Sequence, residues 1–160
     1  MSFSDLPVPK VISGGQTGVD RAALDAAMAA GLAVGGWCPT GRRAEDGPLD
    51  ARYPLVETPS RDYRQRTRWN VRDADATLVL GWGRLTGGTA LTVGFIREYG
   101  RPHRVVPLDG DPDPGPVRAW LREQEVTTLN VAGPRGDAEG RIYAAARAFL
   151  TALFEYAKEA

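Results

Sequence analysis

Two glycine turns that each open into a helix, with arginines spaced around them, are the residues through which this chain could do chemistry. The first is Gly14-Gly15-Gln16-Thr17-Gly18-Val19-Asp20-Arg21, which follows the apolar Val11-Ile12 and leads into an alanine-rich helix former. The second is Thr86-Gly87-Gly88-Thr89, which leads into Ala90-Leu91-Thr92. Glycine allows a ligand close to the backbone. The free N–H groups of a first helical turn, together with the helix dipole, favour an anion. The chemistry expected is therefore phosphate recognition, with Gly14, Gly15, Gln16, Thr17, Gly18, Gly87, Gly88 and Thr89 as its frame. Arg21 and Arg135 are candidate phosphate contacts, with a surface ion pair as the alternative for Arg21. Asp20, in a first helical turn, suits helix stabilisation better than phosphate contact.

A charged, glycine-bounded stretch, Gly41-Arg42-Arg43-Ala44-Glu45-Asp46-Gly47, supplies secondary candidates. Arg42, Arg43, Glu45 and Asp46 either reach a ligand or neutralise one another on the surface. Asp20, Glu45 and Asp46 could hold Mg²⁺ with a nucleotide's phosphates, because Mg²⁺ often uses one or two carboxylates. No protein-only metal site is expected. The chain has one cysteine, Cys38, and one histidine, His103. Cys38 ends a strand and His103 begins one, so they should lie at opposite ends of a sheet, beyond the reach a nucleophilic dyad needs.

These residues need elements to position them. Short apolar runs, several ending at glycine, predict strands at Lys10–Ser13, Ala33–Trp37, Leu55–Thr58, Ala76–Gly81, Arg104–Leu108 and Thr127–Ala132. Helices are predicted at Val19–Ala30, Arg61–Arg72, Ala90–Tyr99, Gly115–Gln124 and Ala138–Glu159. The last carries Ile142, Ala145, Ala146, Phe149, Leu150, Leu153 and Phe154 at helical spacing, a core-facing stripe. The alternation argues for an α/β fold, a single Rossmann-like domain with an open, mostly parallel sheet and helices on both faces. In such sheets ligands sit beyond the carboxyl ends of the strands. The expected order sets the first strand beside Ala76–Gly81, so that the Gly14 and Gly87 turns flank one crevice and the Gly133 loop lies further off.

At 160 residues one domain is expected, spanning 1–160 with 1–9 as an N-terminal extension. The formal net charge is zero, which speaks against a nucleic-acid partner or an acidic lipid surface. No run resembles a signal peptide or could span a membrane, so the cytoplasm is the expected compartment.

The turn Gly14-Gly15-Gln16-Thr17-Gly18-Val19-Asp20-Arg21-Ala22-Ala23-Leu24-Asp25 resembles the putative molybdenum carrier family. So do Cys38-Pro39 with Gly41–Gly47, and Leu129-Asn130-Val131-Ala132-Gly133-Pro134-Arg135. That family is a circularly permuted branch of the SLOG superfamily of Rossmann-like nucleotide binders. The middle of the chain is similar to the "Lonely guy" phosphoribohydrolases of the same superfamily. Their arginine-bearing helix, Asp-Ala strand and Pro-Gly-Gly-x-Gly-Thr loop correspond to Arg66, Asp75-Ala76 and Gly87-Gly88-Thr89. The resemblance implies a phosphoribosyl-handling role for Arg66. It also implies a phosphorylated small molecule as partner, either a nucleotide or the molybdenum cofactor, and a homo-oligomer, dimer or tetramer. The chain departs from these relatives at three places. Thr86 replaces a proline, Asp137 replaces a serine, and no glutamate follows Gly87-Gly88-Thr89, where the hydrolases carry their catalytic one. The expected function is therefore a small-molecule binding protein. The alternatives are a phosphoribohydrolase with a different water-activating group, and a nucleotide sensor or assembly module without turnover.

Overall fold

The structure, a computed structural model, describes residues 8–84 and 87–155. Parallel strands buried on both faces read as unbroken apolar runs rather than alternating ones. That is the character of β5 (Ala76–Gly81), in which every residue is buried. With β1 (Lys10–Ile12), β2 (Ala33–Gly35), β6 (His103–Pro107) and β7 (Thr128–Ala132) it forms a five-stranded sheet. All of its pairings are parallel. The helices are α1 (Val19–Ala29), α2 (Tyr63–Asp73), α3 (Gly87–Tyr99), α4 (Gly115–Glu123) and α5 (Arg141–Phe154). Helices α1, α4 and α5 bury Ala23, Trp120, Phe149 and their neighbours with Leu78, Leu80, Leu129 and Val131 of the sheet. On the other face Val71 of α2 and Phe95 and Ile96 of α3 pack with Val79. The result is one α/β domain of Rossmann-like architecture. No helix among the described residues is long and apolar enough to cross a membrane.

The strand order is β2-β1-β7-β5-β6, which corrects the expected pairing of β1 with β5. The last strand enters between them: Val11 pairs with Leu129, and Leu129 in turn with Ala76. Burial of Leu129, Asn130 and Val131 together reflects this central place. The loop after β7, expected to be remote, therefore emerges in the middle of the carboxyl edge.

Other boundaries shift for local reasons. The expected strand Ala33–Trp37 is two strands, because the chain turns at Gly36 (φ 122°). A side chain on Gly36 would press to 3.0 Å of the Ser13 amide nitrogen. Beyond it β3 (Trp37–Cys38) pairs with β4 (Val56–Glu57) in a separate two-stranded sheet, so the Leu55–Thr58 segment does not join the main one. The second glycine turn is already helical, since α3 begins at Gly87; Thr86 lies outside the described residues. Helix α2 starts at Tyr63, not Arg61, because the Asp62 carboxylate caps it by accepting from the Arg64 amide. Helix α5 starts at Arg141, not Ala138, after Gly140 in the left-handed region (φ 70°). The end expected for it, to Glu159, runs past the described residues. Of the proposed 1–9 extension, residues 1–7 also lie outside them, while Val8 is fully buried in the main core.

Candidate functional site

Most donors of the turn after β1 are taken up by protein groups. Gly18 caps α1 at φ 81°, and a side chain there would come within 2.5 Å of the Pro134 carbonyl oxygen. This glycine therefore admits the loop after β7 rather than a ligand. The Val19 amide donates to that same carbonyl (3.1 Å), and Thr17 Oγ1 accepts from the Gly136 amide (3.2 Å). The Gln16 side-chain oxygen accepts from the amides of Thr17 (3.0 Å) and Glu45 (2.8 Å). The Asp20 carboxylate, with its side chain 5% exposed, accepts from the Gln16 amide and from Arg66 Nη1 (3.2 Å). The position an external anion would take at α1 is thus held by an internal carboxylate. Burial pushes the Asp20 pKa up, opposed by the Arg66 charge.

Arg66 reaches this carboxylate by lying flat against Gly14, where a Cβ would fall 2.7 Å from the guanidinium carbon. It comes from α2, on the opposite side of a cleft of about 610 Å³. The cleft runs along the carboxyl edge of the sheet. One wall is Asp62, Tyr63, Arg64, Arg66 and Thr67 of α2, and another is Gly87, Gly88, Thr89, Leu91 and Thr92 of α3. Gln16, Asp20 and the segment Ala132–Arg135 complete it. Because β7 is central, Arg135 faces the same space as the first turn of α3. Of the residues expected at the site, Gln16, Asp20, Arg66, Gly87, Gly88, Thr89 and Arg135 line the cleft. Gly14, Gly15, Thr17, Gly18 and Arg21 do not.

Arg21 makes a forked pair with Asp46 (3.0 and 3.1 Å) and donates to the Gly15 carbonyl (3.0 and 3.2 Å). The pair holds the Asp46 carboxyl below its ordinary range. Arg42 donates to the carbonyls of Leu49, Asp50, Tyr53 and Leu55 and so braces the long loop between β3 and β4. Arg43 stacks over Tyr63 and donates to the Arg61 carbonyl. Glu45 pairs with Arg135 (2.7 Å) at the cleft's rim. The acidic and basic residues of the Gly41–Gly47 stretch therefore bind partners outside that stretch rather than each other. Asp20, Glu45 and Asp46 do not converge, and no group of three or more His, Cys, Asp or Glu among the described residues could hold a metal ion. Asp137 accepts from the Ile142 amide and from Arg141, filling the start of α5 with its own carboxylate. Cys38 is buried and His103 begins β6, at the far end of the strands from the cleft.

Several cleft residues escaped the sequence reading. Arg64 reads as one arginine among five on a basic helix, yet it stands at the wall over Phe95 (5.4 Å). Asp62 and Tyr63 read as ordinary helix-start residues. Thr92 had a legible signal: it lies one helical turn beyond Thr89, on the face that Thr89 presents.

Residues 11–154 match the Circularly permutated YpsA SLOG family. The crystal structure of a putative molybdenum carrier protein from Syntrophus aciditrophicus SB is similar to this chain, with 40% identity and a TM-score of 0.86. The match covers 93% of this chain and 96% of that one. No curated protein matches.

Proposed function

Because the chain belongs to the Circularly permutated YpsA SLOG family, we propose that it binds a phosphorylated small molecule, a nucleotide or the molybdenum cofactor, in this cleft. One observation carries the reading: the first turn of α3, Gly87-Gly88-Thr89, shares the cleft with Arg66 and Arg135. The amides of a first helical turn, which have no partner within their own helix, and two guanidinium groups suit phosphate oxygens. A Cβ on Gly88 would meet nothing within 4 Å, so its backbone stands open to the cleft. Asp20 sets the polarity of the site. Its carboxylate repels a phosphate from the α1 side, which leaves the phosphate to α3 and Arg135 and the uncharged part of the ligand to the Gln16 side. The name carried by the similar protein from Syntrophus aciditrophicus SB supports a molybdenum-containing cargo as one candidate.

Binding is favoured over phosphoribohydrolysis because Ala90, Leu91, Thr92 and Val93 follow Gly87-Gly88-Thr89, with no glutamate among them. A general acid–base group contributes roughly 10²–10⁴-fold in rate, and the cleft lacks the one those enzymes use. The test is a thermal-shift series with nucleoside, monophosphate, diphosphate and triphosphate. A nucleotide at a hundredfold its dissociation constant should stabilise the fold by about 2.7 kcal/mol, without release of free base. Equal response to nucleoside and nucleotide would remove phosphate from the reading, and rapid base release would replace it with the hydrolase.

A further inference from the structure

Beneath the floor of the cleft, between the carboxyl ends of the strands and helices α2 and α3, lies a chamber of about 10 Å³, close to the room one water molecule needs. Its polar walls are Asp20, Arg66, Thr67, Asn70, Thr92 and Asn130. Four of these also line the cleft, so the two spaces share a wall. Most wall groups are already engaged. The Thr67 and Thr92 hydroxyls donate to the carbonyls of Tyr63 and Gly88 (2.9 Å each), and the Asn130 amide donates to Thr77 Oγ1 (3.3 Å). Asn70 accepts from the Trp37 amide and donates to the Trp37 carbonyl. The exception is Arg66 Nε, which is buried with no partner among the described residues. A buried donor left unpaired costs free energy.

The chemistry of the walls selects the occupant. An anion would face the Asp20 carboxylate, and a cation would face Arg66. An apolar group would leave Arg66 Nε unpaired. A small neutral oxygen that both accepts and donates meets every wall. We propose that the chamber is a subsite for a single hydroxyl-type oxygen, which accepts from Arg66 Nε and donates toward the Asp20 carboxylate. Either a water or a hydroxyl of the bound ligand supplies it. The ligand arm rests on the phosphorylated-ligand reading above. Asn130 is a positioning residue here, because it lines the chamber and not the cleft.

The experiment titrates the protein calorimetrically with ribose 5-phosphate and 2-deoxyribose 5-phosphate, as wild type and as Asn130→Leu, which replaces a polar wall by an apolar one of similar size. If a ligand hydroxyl enters the chamber, the wild type prefers the ribose form by about tenfold, the scale of one hydrogen bond to a charged group, and Asn130→Leu erases the preference. If a water fills it, the two sugars bind alike and both weaken in the variant. Wild-type affinity of a folded Asn130→Leu for both sugars overturns the proposal. If the wild type binds neither sugar phosphate nor any nucleotide, it is the nucleotide form of the functional reading that fails. The chamber is then decided by a crystal structure of the free protein, as it is if Asn130→Leu does not fold. Oxygen density bonded to Arg66 Nε supports the proposal, and Arg66 Nε paired to a protein group overturns it.

Discussion

Arg66 serves the fold and the cleft at once, and the two roles separate by mutation. It pairs with Asp20 where the two side chains are only 12% and 5% exposed. Breaking a buried pair by removing one partner strands the other charge, at a cost of about 3–5 kcal/mol, against about 0–1 kcal/mol for a surface pair. Arg66→Met should therefore lower stability in urea by about 3 kcal/mol at neutral pH, and Asp20→Asn in the same background should return part of it. The sign with pH follows from the carboxyl. Burial already raises the Asp20 pKa, and removing Arg66 takes away the charge that opposes this. Below the raised value Asp20 is neutral and needs no cation, so the cost of Arg66→Met should shrink in acid. A cost within 1 kcal/mol at every pH would make the pair a surface one in effect. Gly88 offers the opposite probe, since a Cβ there would meet no neighbouring atom of the described residues within 4 Å. Gly88→Val should melt like the wild type and lose nucleotide binding; unchanged affinity would take the start of α3 out of the site. Both residues stand out in the sequence, Arg66 through the resemblance to the phosphoribohydrolases and Gly88 through its turn. An ion pair was one of the two readings of Arg21, but its partner, and the part Arg42 plays, were not legible. An arginine's partner is chosen by folded loops, and here Asp46 and four backbone carbonyls are brought in by tertiary structure.

Among the elements, each strand of the main sheet was recognisable by its apolar run, but their order was not. Periodicity reports burial on two faces and says nothing of neighbours. The order is held in part by Asp75, just before β5. Its amide donates to the Thr128 carbonyl (2.9 Å), and its carboxylate accepts from the Thr127 amide (3.0 Å), the Thr127 hydroxyl (2.6 Å) and the Thr128 amide (2.9 Å). These bonds tie β5 to the start of β7 and hold the Asp75 carboxyl below its ordinary value, the Thr127 hydroxyl contributing most. A carboxyl depressed in the folded state adds stability that is present above its unfolded pKa and lost as pH falls through the folded one. Asp75→Asn should therefore destabilise the protein at pH 7 and cost progressively less below about pH 4. Denaturant titrations of both proteins at the two pH values check this. A difference that stays constant with pH would mean that the shape of the side chain matters, not its charge. The start of α3 was misread for a related reason. Glycine pairs predict a loop by propensity, and the Gly87-Gly88 pair was read as one although both residues lie in the helix.

For the whole molecule, the decisive fact is that the last strand is the middle one. Among the described residues, strand β1 pairs only with β2 and β7, and β5 only with β6 and β7. Until residues 128–132 arrive, the main sheet exists only as two strand pairs with no hydrogen-bonded ladder between them. The following helix then covers α1, burying Phe149, Leu150, Leu153 and Phe154. At about 1.5–3 kcal/mol for each large apolar side chain, these residues with Leu129 and Val131 contribute on the order of 10 kcal/mol. That is comparable to the net stability of a domain, about 5–15 kcal/mol. The same insertion carries Gly133–Arg135 into the cleft, so site and fold depend on one segment. A fragment of residues 1–124 should consequently show no cooperative urea transition and no response to nucleotide. Adding residues 125–160 as a separate peptide should restore both, because the strand can enter from either connection once its neighbours are present. A cooperative transition in 1–124 alone would mean that β1 and β5 can pair directly, the arrangement first expected from the sequence, and that β7 is an addition to a sheet already able to close.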